Sequence, residues 1–238
     1  TFMTETGDYR FLAGTVGSGR FSMSTFNGSW AFLFEGKIQN DSIYGNFYSG
    51  QSYQTDWIAV RDANATLRDP SKLTYVDKKA DFDFSKVKTL KGKAFNHKKV
   101  SKDKVIIYQI MGTWCPNCID EIHFFKELYA KYHNQGLEIV GLAYEVGSEE
   151  KKQIKRLKAF KKRLNIPYEI VLAGTSNKDV ASAQFPMLNG IMSFPTSVIV
   201  SKNGKIEHVH TGFSGPATGE AYVKYTKEMH ELIERLIK

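Results

Sequence analysis

The sequence predicts an α/β fold, a central mixed sheet flanked by helices, preceded by a small antiparallel all-β domain. Three observations carry this. From about residue 77 apolar strands alternate with amphipathic helices, the pattern of a largely parallel sheet. Before that point five short alternating runs follow one another with turn residues between them. The only two cysteines, Cys115 and Cys118, stand where one of the later strands meets the next helix. At 238 residues the chain has room for two such domains, 1–76 and 77–238.

The first domain reads as strands at Tyr9–Leu12, Arg20–Phe26, Trp30–Glu35, Ser42–Tyr48 and Trp57–Val60. Asn27-Gly28, Asn40-Asp41 and Ser49-Gly50 fall where hairpin turns belong. Five strands at this spacing predict a meander closing toward a small barrel or sandwich. Its aromatic residues read first as core filling, with the lining of a ligand groove as the alternative. Asp69-Pro70-Ser71 marks the exit.

In the second domain Lys104–Met111 is a buried strand. Pro116 to about His133 is a helix with Ile119, Ile122, Phe125, Leu128 and Tyr129 on its inner face, stopped by Gly136. Leu137–Tyr144 is the next strand and Glu149–Leu164 a lysine-rich helix. Tyr168–Leu172 is a strand after Pro167. The stretch Gly174–Met192 reads as a surface insertion bordering the site. Thr196–Val200 and Lys205–Thr211 form a hairpin across Asn203-Gly204, and Ala217–Ile237 closes the chain as a helix.

The net charge of +8 comes from 33 Lys and Arg against 25 Asp and Glu. It concentrates in 78–104 and in 149–163. The second cluster is helical, with Ile154, Leu157, Phe160 and Leu164 on one face and lysines around the rest, so it reads as a solvated surface. No nucleic-acid motif accompanies the charge, and no nucleic-acid partner is expected. No apolar run reaches the ~18 residues that span a bilayer. No signal peptide stands at Thr1-Phe2-Met3.

The run Trp114-Cys115-Pro116-Asn117-Cys118 carries the chemistry. A CxxC pair at a strand-to-helix junction reads as a redox centre. Pro116 suits the first helical position because it has no N–H to leave unpaired. Cys115 then sits where unpaired N–H groups and the helix dipole favour a negative sulfur. The thiolate is the nucleophile, and such sites lower the thiol pKa from ~8.5. Cys118, one turn on, can close a disulfide or resolve a mixed one. Structural zinc needs four ligands, and beyond this pair only His123 is at hand, so no metal is expected. A purely structural disulfide would close too short a loop to stabilise much. No cofactor is expected.

The order strand, CxxC, helix, strand, helix, strand, proline, hairpin and helix resembles the thioredoxin-like fold. Within it the chain resembles the TlpA/ResA type of bacterial envelope thiol–disulfide oxidoreductase over roughly residues 80–238. Gly112–Cys118, Gly136–Leu142 and Ser193-Phe194-Pro195-Thr196-Ser197 carry the likeness. The first 76 residues resemble the β-rich extensions of some envelope members. The resemblance implies that Pro195 is a cis-proline beside the cysteines. It also implies that Phe194 offers its backbone to a substrate strand, by β-augmentation. Where thioredoxin carries a buried Asp, six residues before the first cysteine, this chain has Gln109, which favours the TlpA-like type. Glu145 lies close to the acidic position near the end of the next strand. It would accept the Cys118 proton, or else be a solvated strand-end residue.

The resulting expectation is thiol–disulfide exchange in the reductive direction. Cys115 attacks, Cys118 resolves, Pro195 and Glu145 complete the catalytic set, and Trp114, Phe194 and Pro116 meet the substrate. Partners would be protein disulfides and a thiol electron donor. The setting would be the periplasm or cell envelope, with a signal or membrane tether removed. The alternatives are an oxidase or isomerase using the same site, and a redox-responsive binding module whose β domain holds a partner.

Overall fold

A computed structural model describes residues 1–238. The N-terminal part opens with a minimal hairpin, β1 (Met3–Thr4) and β2 (Gly7–Asp8). The strands β3 (Ala13–Gly17), β4 (Arg20–Phe26), β5 (Ala31–Gln39), β6 (Ser42–Ser49) and β7 (Tyr53–Val60) follow. They pair in sequence order as one antiparallel sheet, with β3 and β7 at its edges.

The expected closure into a barrel or sandwich does not occur, because β3 and β7 do not pair. The apolar face is covered instead by two aromatics that flank the β1–β2 hairpin. Phe2 packs edge-on to Phe34 at 4.7 Å, and Tyr9 meets Phe32, Phe34 and Phe47 at 5.0–5.7 Å. The strand expected at Tyr9–Leu12 is absent for the same reason. Tyr9 turns into this cluster, and Arg10 adopts a left-handed conformation (φ 60°) that interrupts extended pairing.

Beyond a short turn of 3₁₀ helix at Pro70–Lys72 come β8 (Lys88–Thr89), α1 (His97–Val100), β9 (Val105–Met111) and α2 (Pro116–Tyr132). Next are β10 (Leu137–Glu145), α3 (Glu150–Arg163), β11 (Glu169–Thr175) and α4 (Lys178–Gln184). The chain ends with β12 (Thr196–Val200), β13 (Ile206–Thr211) and α5 (Glu220–Ile237). The sheet order is β13-β12-β9-β10-β11-β8. β9, β10 and β11 run parallel, and β12 runs antiparallel to β9. This is the thioredoxin-like arrangement. Gly136 stops the α2 region with φ 106°, a conformation glycine reaches without a Cβ clash.

Every residue of β9 and β10 is buried, so each contributes alternately to two cores. On one face α2, α3 and α5 pack Ile122, Phe125, Leu157, Phe160 and Met229 against Val105, Ile107 and Ile139. On the other, Ile106, Tyr108 and Val140 meet Phe84, Phe95, Ala181, Phe185, Met187 and Ile191. The stretch 174–192 is therefore no surface insertion. It extends β11, forms α4 and seals the sheet's second face with Phe185, Met187, Leu188 and Ile191, each under 7% exposed. Those apolar residues gain more by burial than a loop would by solvation, about 1.5–3 kcal/mol for each large side chain.

Candidate functional site

The β9–α2 junction brings the two cysteines together as a disulfide. Cys115 caps α2, with its sulfur accepting the Cys118 N–H at 3.2 Å, and Pro116 occupies the first turn. No acidic residue lies in that turn, so nothing there offsets the positive end of the dipole. Cys115 is 4% exposed and Cys118 wholly buried, which leaves Cys115 as the sulfur a partner can reach.

Trp114 is positioned by its indole N–H, which donates to the Tyr144 carbonyl at 2.9 Å. Its ring meets Phe194 edge-on at 5.4 Å. The Phe194–Pro195 bond is cis. The Pro195 carbonyl accepts from Gly212 N–H at 2.7 Å, tying this loop to the segment after β13. Trp114, Cys115, Cys118, Phe194 and Phe213 belong to one hydrophobic cluster.

Glu145 is not a solvated strand end. It is fully buried, and its carboxylate accepts from Thr113 N–H at 2.8 Å, Thr113 Oγ1 at 2.7 Å and Arg156 Nη1 at 3.0 Å. Three donors, one of them cationic, satisfy the oxygens of this buried side chain. Through Thr113 the group fixes the backbone that leads into Trp114 and Cys115.

A second buried carboxylate, Glu121, escapes the sequence reading. It lies one turn beyond Cys118 on α2, fully buried, and accepts from Gln109 Nε2 and Ser197 Oγ, both at 2.8 Å. Gln109 also reaches the Cys118 carbonyl at 3.5 Å. Burial pushes the Glu121 carboxyl up to about 8, against the lowering effect of those two hydrogen bonds. Its spacing from Cys118 (three) and Phe125 (four) places it on the inner face of the helix, and that periodicity is the signal that finds it.

A family model described as the AhpC/TSA family matches residues 76–209, more than half of the chain, and the protein belongs to that family. The thiol-disulfide oxidoreductase ResA of Geobacillus thermodenitrificans (strain NG80-2) is 33% identical over 113 residues, 47% of this chain and 56% of that protein. The ResA of Bacillus cereus (strain ATCC 10987 / NRS 248) is 30% identical over 144 residues, 60% of this chain and 73% of that one. The chain thus spans little more than half the length of the Geobacillus relative. Among solved structures, a thiol:disulfide interchange protein of the thioredoxin family from Chlorobium tepidum TLS has a TM-score of 0.44. Its identity is 24%, over 63% of this chain and 98% of that one.

Proposed function

We propose that the protein is a thiol–disulfide oxidoreductase that reduces disulfides of cell-envelope proteins. The observation that carries the reading is the Cys115–Cys118 pair at the N-terminus of α2, with one cysteine slightly exposed and the other wholly buried. The Cys115 thiolate attacks a substrate sulfur, forms a mixed disulfide and expels the substrate's other sulfur as a thiolate. Cys118, once deprotonated, attacks Cys115 and releases the second substrate thiolate. The protein ends as the disulfide, and two electrons have passed to the substrate. A thiol donor in the envelope then restores the dithiol.

Cys118 is buried, so its proton needs a nearby acceptor. Glu121 supports that role, because it sits one turn away within the Gln109 network and burial moves its affinity for a proton into the neutral range. Glu145, beside Thr113, is the competing candidate. Trp114, Phe194 and Pro116 frame the approach to Cys115. The Phe194 backbone pairs with an extended substrate segment.

An insulin-reduction assay tests the activity, and a Cys118→Ala variant traps substrates as mixed disulfides for mass spectrometry. The reductive direction predicts a potential in the thioredoxin-to-glutaredoxin range, about −270 to about −200 mV. A value near about −120 mV would make it an oxidant. Labelling of the reduced protein in intact cells by a membrane-impermeant maleimide tests the envelope location.

A further inference from the structure

Residues 6–10 grip the redox helix and the loop beside it. With its amide oriented to satisfy both groups, Asn117 donates to the Asp8 carbonyl and accepts from the Asp8 N–H, both at 3.2 Å. Asn117 is the residue between Pro116 and Cys118 in the motif itself. Asp8 Oδ2 accepts from Gly215 N–H at 2.7 Å, and its Oδ1 from Arg10 N–H at 2.6 Å. Gly212 lies so close to Thr6 that a Cβ there would fall 2.3 Å from the Thr6 carbonyl oxygen.

The charged contact is the most specific. The Arg10 guanidinium forks onto Asp120 of α2, Nε to Oδ2 at 2.7 Å and Nη2 to Oδ1. Its Nη1 donates to the Asn27 carbonyl at 3.2 Å in the β-sheet domain. The two side chains are only 26% and 16% exposed. Arg10 pays for this reach with a left-handed backbone, φ 60°, that is uncommon outside glycine.

Asp120 lies five residues beyond Cys115 on the redox helix, about 7.5 Å along its axis and roughly 10 Å away in all. The charges gathered around Cys115 are mostly negative. Glu145 comes from β10 and Asp8 from the N-terminal segment, while Glu121 on α2 holds its proton. Arg156 pairs with Glu145 and His123 lies further along α2. The loops 193–196 and 212–215 bring no charged side chain. Arg10 is the cation that faces Asp120.

We propose that Arg10 is a positioning residue of the redox site, cancelling the Asp120 charge so that Cys115 forms its thiolate readily. The β-rich domain is then part of the redox machinery, because it supplies that cation. The inference rests on the proposed role of Cys115 as nucleophile.

The test is the pH dependence of Cys115 alkylation in the reduced full chain, read by mass spectrometry. Arg10→Gln leaves a net negative charge about 10 Å from the sulfur and raises the Cys115 pKa. Asp120→Asn leaves a net positive charge and lowers it. The double variant returns it to the wild-type value. A unit charge at that distance, in a medium between protein surface and water, is worth about 0.3 to about 1 pKa unit, roughly twofold to tenfold in thiolate.

A merely structural pair would shift both single variants in the same direction, or neither, and either result overturns the proposal. Arg10→Lys keeps the charge and stays within about 0.2 unit of wild type by the same reasoning. If Arg10→Gln does not fold, Arg10→Lys and Asp120→Asn carry the comparison. An unmoved pKa in folded Asp120→Asn is then the overturning result. If Cys118 proves to be the faster-reacting thiol in the wild type, the fault lies with the nucleophile assignment and shows before any variant is made.

Discussion

Replacing Glu121 by Gln should remove most of a pH-dependent loss of stability. The carboxyl is fully buried, and burial raises its pKa from 4.5 to about 8. In the folded protein it holds its proton across a range where the unfolded chain has released it. Between about pH 4.5 and about pH 8 the native state therefore binds more protons than the unfolded state, and stability falls as pH rises. Its contribution is fully present below 4.5 and lost by the time the pH passes 8. At ~1.36 kcal/mol per unit, the rise amounts to about 5 kcal/mol as an upper figure. Gln keeps the hydrogen bonds: its oxygen accepts from Gln109, its amide donates to Ser197, and the hydroxyl rotates to receive it. Urea unfolding of the oxidised proteins at pH 5 and pH 8.5 measures the effect. The variant should match the wild type within about 1 kcal/mol at pH 5 and exceed it by several kcal/mol at pH 8.5. Parallel curves for the two proteins would refute the argument that this carboxyl is buried and neutral.

Other perturbations separate the roles of the surrounding groups. If Glu121 accepts the Cys118 proton, Glu121→Gln should slow resolution of a mixed disulfide and flatten its pH profile. Glu145→Gln should leave that profile in place, and stopped-flow decay of the mixed disulfide distinguishes them. Arg156→Ala removes a half-exposed cation from a buried carboxylate that keeps its two Thr113 donors and should destabilise the fold by about 1.5 kcal/mol in chemical denaturation, the scale of one hydrogen bond to a charged group. Burial lowers the His210 pKa to about 3, so its stabilising contribution is present above about 6.5 and lost as pH falls toward 3. A His210→Phe variant should show a shallower acid transition by circular dichroism.

The sequence exposes local rules and hides distant contacts. Cys115, Pro116 and Cys118 form a sequence-local unit, so their place at a helix start was legible from strand pattern and proline preference alone. The α/β elements followed from apolar periodicity, and most ends fall within two residues of the expected ones. The misses have physical causes. Phe185-Pro186-Met187-Leu188 looks like a loop because proline and short spacing break any period, yet it fills the sheet's second face. Glu121 draws no attention in the sequence because acidic residues are mostly exposed; only its phase against Cys118 and Phe125 marks it as buried. The meander was expected to close on itself. Nothing local says that Phe2 and Tyr9 cover it instead.

The boundary near residue 76 gains a different meaning from these contacts. The β-rich domain has its own sheet and aromatic cluster, as an independent unit would. Yet the segments at its two ends are built into the second domain. Thr6, Asp8 and Arg10 engage Gly212, Gly215, Asn117 and Asp120. At the exit, Val76 bridges Leu188, Tyr75 N–H donates to Asn189 and Thr74 to the Gly190 carbonyl. A fragment starting at Asp77 keeps both cysteines and the Pro195 loop, so we propose that it folds and still reduces insulin. It should melt several degrees lower, because the face of Leu188–Gly190 and the grip on α2 are lost. It also leaves Asp120 without its cation. The fragment should therefore show a raised Cys115 pKa, which Asp120→Asn within the fragment brings back down. A fragment that melts lower but keeps the full-length pKa would mean that the β-rich domain contributes stability alone and leaves the chemistry of Cys115 untouched.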